Sequence, residues 1–167
     1  STRSGAEMEI DRLQSTCDSM KELLLESHYR DKAGGYFGVL LRKLKVIAPH
    51  TLEDILQANL SRDEFREVLL LDVLVRGRLR DRSEQTEVWL AVEVSAKVNT
   101  NAVNRARRRA ALLCKCGYAA IAVVAGEEYE EESTDMARST HVVMLQNGSI
   151  EFWDEAVDAL LQETLPR

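Results

Sequence analysis

The spacing of apolar residues changes twice along the chain, and each change predicts a different element. Between 6 and 27, apolar side chains recur at Ile10, Leu13, Cys17, Met20 and Leu24. This alternation of three and four is that of coiled-coil a and d positions, and it predicts a helix. Two heptads are marginal for an independent coil, so the seam suits either a second helix or the body of the domain. Gly34 and Gly35 interrupt, and a second helical stretch is expected over 36–44 before Pro49 closes the unit. Thr51 then reads as a helix cap, with Glu53 and Asp54 in the first turn of a helix ending near Asn59.

The centre of the chain changes period. Residues 68–75 (VLLLDVLV) and 88–94 (VWLAVEV) are short apolar runs rich in β-branched residues, joined by a polar stretch. They read as an antiparallel strand pair. Thr100 or Asn101 caps a helix ending at Cys116, with Gly117 as its stop and Val103, Ala106, Ala110 and Leu113 as its apolar stripe. The arginines of that helix are expected on its other faces. Residues 118–125 (YAAIAVVA) form another buried strand, and an acidic loop over 127–139 leads to a strand over 141–146. Asn147-Gly148 is a type I′ hairpin signal, and a helix over 154–164 follows with Ala156, Val157, Leu160 and Leu161 packed inward. The pattern describes an α/β (α+β) domain over 31–167 with helices against a mixed central sheet. A helical, coiled-coil-like extension occupies 1–30.

Composition adds bounds. The 167 residues are 45% hydrophobic and 30% charged, as in ordinary globular proteins. No apolar run reaches the length of a membrane span, so a cytoplasmic setting without a membrane partner is expected. Three cysteines and three scattered histidines outline neither a disulfide framework nor a soft-metal site. The net charge of −6 conceals an uneven distribution, because eleven of the 22 basic residues fall in three clusters. These are Arg42, Lys43 and Lys45; Arg76, Arg78, Arg80 and Arg82; and Arg105, Arg107, Arg108 and Arg109. Such clusters suit either solvated faces or contacts with phosphates of DNA or RNA.

Two acids interrupt the central apolar runs. Asp72 sits within VLLLDVLV and Glu93 within WLAVEVSAK, and an ionised carboxylate buried without a partner costs several kcal/mol. Paired strands bring the two together, and their repulsion then raises one pKa unless a cation intervenes. Mg²⁺ or Mn²⁺ satisfies that requirement through carboxylates, waters and phosphate oxygens. An ion pair with Arg76 or Arg105 satisfies it equally. Arg105 and Arg108, three apart on the following helix, are placed to meet phosphates.

These residues resemble a known family. The order helix, strand with Asp72, strand with Glu93-Val94-Ser95, arginine-bearing helix, strand is similar to the αβββαβ core of the PD-(D/E)XK nuclease superfamily. The resemblance is greatest to an uncharacterised bacterial branch in which a coiled coil precedes a nuclease-like domain. It is carried by Tyr36-Phe37-Gly38, by 72–77 (DVLVRG), by 88–95 (VWLAVEVS), by Asn104-Arg105-Ala106, by Arg109-Ala110 and by 123–126 (VVAG). The resemblance implies a restriction-endonuclease-like fold and a Mg²⁺-dependent nuclease, with Asp72, Glu93 and the Val94 carbonyl as metal ligands. It also implies a first-helix acid, Glu22 or Glu26, facing the site. Active members carry a lysine two residues after the second acid. Here that position is Ser95, and Lys97 lies two residues further along the same face. Three readings stay open: a nuclease using Asp72, Glu93, Ser95 and Lys97; a catalytically inactive nucleic-acid-binding descendant; and a homo-oligomeric interaction protein joined through its N-terminal helix.

Overall fold

A computed structural model describes residues 4–164. Its sheet has six strands in the order β1 (Leu41–Val46), β2 (Val73–Leu79), β3 (Glu87–Val94), β5 (Ala120–Gly126), β7 (Val143–Gln146) and β8 (Ser149–Glu151). β1, β2 and β3 are antiparallel neighbours, β3, β5 and β7 run parallel, and β8 returns antiparallel, so the sheet is mixed. β4 (Lys97–Val98) and β6 (Glu128–Tyr129) form a separate two-stranded ladder.

Helices cover both sheet faces. On one face, Val73, Val75, Leu90, Val92 and Val123 pack against the end of α1 (Gly5–Asp31), α2 (Ala33–Phe37) and α7 (Trp153–Thr164). On the other, Leu74, Trp89, Ala91, Ala122 and Val124 meet α3 (Glu53–Asn59), α4 (Arg62–Leu69), α5 (Thr100–Lys115) and α6 (Glu131–Ser139). Parallel strands covered on both faces read as continuous apolar runs, which is why β3 and β5 were legible. No helix among the described residues is long and apolar enough to cross a membrane.

α1 reaches from Gly5 to Asp31, and only Tyr29 within it is buried. Its seam residues Ile10, Leu13, Met20 and Leu24 are 57–70% exposed. Ser4 caps the helix through a reciprocal pair with Glu7.

Four expectations are corrected. The stretch expected as a helix over 36–44 contains the end of α2 and the start of β1. A β-bulge between Arg42 and Lys45 breaks the two-residue alternation, so Leu41 and Leu44 mimic helical spacing. Gly34 and Gly35 lie inside α2 rather than interrupting. Residues 68 and 69 belong to α4, which opens with a capping box between Ser61 and Glu64, and β2 begins only at Val73. Asp72 therefore stands just before a strand, not at its centre. The acidic loop over 127–139 holds β6 and α6, whose buried positions are only Ser133 and Ala137. Two caps also shift: Asn99 caps α5, and Thr51 donates to the Ala48 carbonyl inside a 3₁₀ turn. Gly117, at φ +94°, does stop α5 in a left-handed conformation that glycine adopts without steric cost.

Candidate functional site

The site lies where β2 begins and β3 ends. Val73 stands opposite Val92, and continuing that antiparallel register brings Asp72 beside Glu93. Their backbones and side chains interlock. The Asp72 N–H donates to Glu93 Oε2 at 3.3 Å, and the Val94 N–H donates to Asp72 Oδ2 at 2.8 Å.

Glu93 is 2% exposed, and arginines compensate its charge. Arg109 Nη1 lies 2.6 Å from Glu93 Oε1 and Arg105 Nε lies 3.2 Å from the same oxygen. Arg109, itself 6% exposed, also donates to the Leu70 carbonyl at 3.1 Å and pairs with Glu67 at 3.3 Å. Its Nε is buried with no hydrogen-bond partner. Burial favours a protonated Glu67, but Arg108 and Arg109 outweigh it and hold that carboxyl below its usual range. An ion pair this buried adds little over an apolar core of equal shape, yet removing one partner strands a charge at about 3–5 kcal/mol.

Asp72 is placed differently, since no guanidinium reaches its carboxylate. Burial, then the neighbouring Glu93 charge and, further off, Glu26, push its pKa up to about 7. The Val94 N–H and the more distant Arg109 oppose that rise. Helix α1 closes the remaining side. Arg30 bridges Glu26 at 2.6 Å and the Asp72 carbonyl at 3.1 Å, and Glu22 accepts from Ser95 Oγ at 3.4 Å. Ser95 also donates to the Lys97 carbonyl at 2.9 Å. Close packing fixes this corner, because a Cβ at Gly126 would stand 2.1 Å from the Ser95 carbonyl oxygen.

The structure thus brings together Asp72, Glu93, Val94, Ser95, Glu22, Glu26 and Arg105. Lys97, expected further along the face of Glu93, instead opens β4, because β3 ends at Val94, and it is exposed there. Arg108 faces Glu67 rather than solvent anions, with its Nε 2.6 Å from Glu67 Oε1. Sequence reasoning missed Arg109, Arg30 and Glu67. Arg109 had a readable signal: it falls three after Ala106 and four before Leu113, on the buried stripe. Arg30, four after Glu26, had the spacing of a helical ion pair.

Two facing carboxylates are a donor set that hard divalent cations accept. As arranged, however, the Glu93 carboxylate already holds three donors out of about four acceptor positions. Among the described residues, no group of three or more His, Cys, Asp or Glu side chains is arranged to hold a metal ion. A metal shared by both acids would therefore have to take the one acceptor position left on Glu93 or displace a donor from it. Compared with protein-family models, curated proteins and solved structures, the chain matches none.

Proposed function

We propose that the chain is a restriction-endonuclease-like domain that binds nucleic acid, with Glu93 of its acid pair clamped by arginines instead of serving a metal. The fold reading is supported by the order α1, β1, β2, β3, α5, β5, in which three antiparallel strands precede a crossover helix and a parallel fourth strand. One observation carries the functional reading: Arg109 and Arg105 occupy Glu93 Oε1, on the acid that an active nuclease of this type presents to its ion. Ser95 at the lysine position supports it, since a hydroxyl bonded to Glu22 and the Lys97 carbonyl supplies no positive charge for a phosphate transition state. The test is incubation with labelled single- and double-stranded DNA and RNA at millimolar Mg²⁺. Retention without cleavage is expected, and cleavage lost in Asp72→Ala would overturn the reading.

A second reading, a Mg²⁺- or Mn²⁺-dependent phosphodiesterase, is favoured by Asp72. Its carboxyl has no cation of its own beside Glu93, with Glu26 nearby, and a divalent ion relieves that kind of repulsion. Under it, Mn²⁺ raises the melting temperature of the wild type and Glu93→Ala removes the rise. The exposed seam of α1 supports self-association of the N-terminal helix under either reading.

A further inference from the structure

The second and first basic clusters meet on a surface that the acid site does not use. β1 and β2 pair so that Arg42 stands opposite Arg78 and Lys45 opposite Arg76. Like charges directly opposite on paired strands repel, so this register works against the fold. Between the two pairs lies the bulge, where Lys43 is held at φ +53°, a left-handed conformation that costs a lysine and not a glycine. Gly77, between the two arginines, lets the strands close up, because a Cβ there would stand 2.8 Å from the Leu41 Cβ.

One carboxylate stands across from them, Glu87 on β3 opposite Arg78. Among the described residues, none of Arg42, Lys43, Lys45, Arg76 and Arg78 forms an ion pair. Arg78 reaches only the Gln85 carbonyl at 3.4 Å, and Arg76 lies 5.7 Å from the Trp89 ring centroid. Their neighbours are engaged: Arg80 donates to the Gly38 carbonyl and Arg82 pairs with Asp158. Lys43, Lys45, Arg76 and Arg78 line one shallow hollow together with Gly77 and Glu87, its one carboxylate among the described residues. Lysines on an edge strand alone serve to discourage sheet-to-sheet pairing. That role does not require matching arginines on β2, which is an interior strand.

We propose that this β1–β2 surface is a docking site for the phosphodiester backbone of double-stranded nucleic acid, read without regard to base sequence. The proposal rests on the nucleic-acid reading above and relocates the contact from Arg105 and Arg108 to Lys45, Arg76 and Arg78. Charge complementarity argues for the occupant, since repeated cations two residues apart on adjacent strands meet successive phosphates of a polyanion. No aromatic residue lies within β1 or β2, so the surface has no platform on which unpaired bases stack.

The test measures affinity of the full chain for two unrelated DNA duplexes, and for a single strand, across a salt series. The wild type is expected to bind both duplexes alike, ahead of the single strand, with affinity falling as salt rises. Lys45→Gln with Arg78→Gln should weaken binding by about tenfold or more at low salt and reduce the slope of log K against log salt by about 2. Arg107→Gln on α5 removes a charge from the competing cluster, and it should leave both quantities unchanged. Thermal melting separates loss of the site from loss of the fold, because two cross-strand repulsions and one attraction, to Glu87, are removed together and the double variant should keep a Tm close to that of the wild type. Wild-type binding with an unchanged slope in the double variant overturns this proposal alone. A wild type with no affinity at low salt overturns the nucleic-acid reading with it.

Discussion

Asp72, Leu74, Arg76 and Arg78 alternate along one face of the same sheet, and the two ends of that row are built on opposite terms. At the acid end, Asp72 and Glu93 are enclosed by α1, α4 and α5, and each charge is met by a named donor, from Arg109 and Arg105 to the Val94 N–H. At the basic end, roughly 13–20 Å along the strand, Arg76 and Arg78 face Lys45 and Arg42, with Glu87 opposite Arg78 as the one carboxylate in register. The arginine-rich helix α5 commits three of its four guanidiniums to Glu93 and Glu67. Counting arginines in the sequence therefore does not separate the paired guanidiniums of α5 from the cations of β1 and β2. What sets the cations of β1 and β2 apart is that they form no ion pair among the described residues, and that becomes visible only once the side-chain partners are known.

Breaking the acid end should have the largest effect. Arg109→Ala leaves Glu93 buried with Arg105 as its remaining cation, and a loss of about 3–5 kcal/mol in urea unfolding is expected. The paired change Glu93→Leu with Arg109→Met should recover most of that loss, because the two charges leave together. A single-variant cost under about 1 kcal/mol would mean that the clamp does not organise this end.

A smaller effect, legible in its sign, concerns Asp72. Its carboxyl pKa is raised in the folded chain from the usual 3.8 to about 7, so the folded state holds the proton more tightly than the unfolded one. That contribution is complete below the unfolded pKa and is lost as pH rises through about 7. The Tm of the wild type should fall over this window relative to Asp72→Asn, whose profile should be flatter. Parallel profiles would show that the carboxylate is as well accommodated as in water.

The smallest effect sharpens the basic end. Arg42→Gln, on the edge strand, should raise stability by a few tenths of a kcal/mol, as relief of its cross-strand repulsion with Arg78. Differential scanning at low and high salt reads it, and the gain should shrink as salt screens the pair. Any loss of stability would mean that Arg42 has a structural partner.

The legibility of the sequence followed local rules and failed where a distant element decides. β3, β5, the Asn147-Gly148 hairpin and the seam of α1 were readable because burial on two faces, turn chemistry and heptad spacing are properties of short windows. β1 was hidden by its bulge, which is defined only against β2. The run over 68–75 concealed a boundary, since Val68 is buried on α4 and Val73 on β2 with identical hydrophobicity. The Ser61–Glu64 capping box upstream marks that helix and was the available signal. Asp72 and Glu93 were singled out correctly as unusual acids, and Glu93 with Arg105 was among the pairings foreseen. Arg109 was missed because a buried guanidinium contradicts the expectation that charge faces solvent, although its helical phase placed it inward.

The shape of α1 has a mechanical consequence. From Lys21 onward the helix is tied down, through Glu127, Ser95, Tyr36 and the Asp72 carbonyl. The preceding turns, from Gly5 to Met20, extend for about 24 Å at the usual helical rise. Such a segment is a lever arm whose fulcrum is the Lys21–Glu127 pair, immediately before Glu22 and just over one turn before Glu26. A torque applied to its tip therefore passes that pair and reaches the carboxylates bordering the acid pair just beyond it.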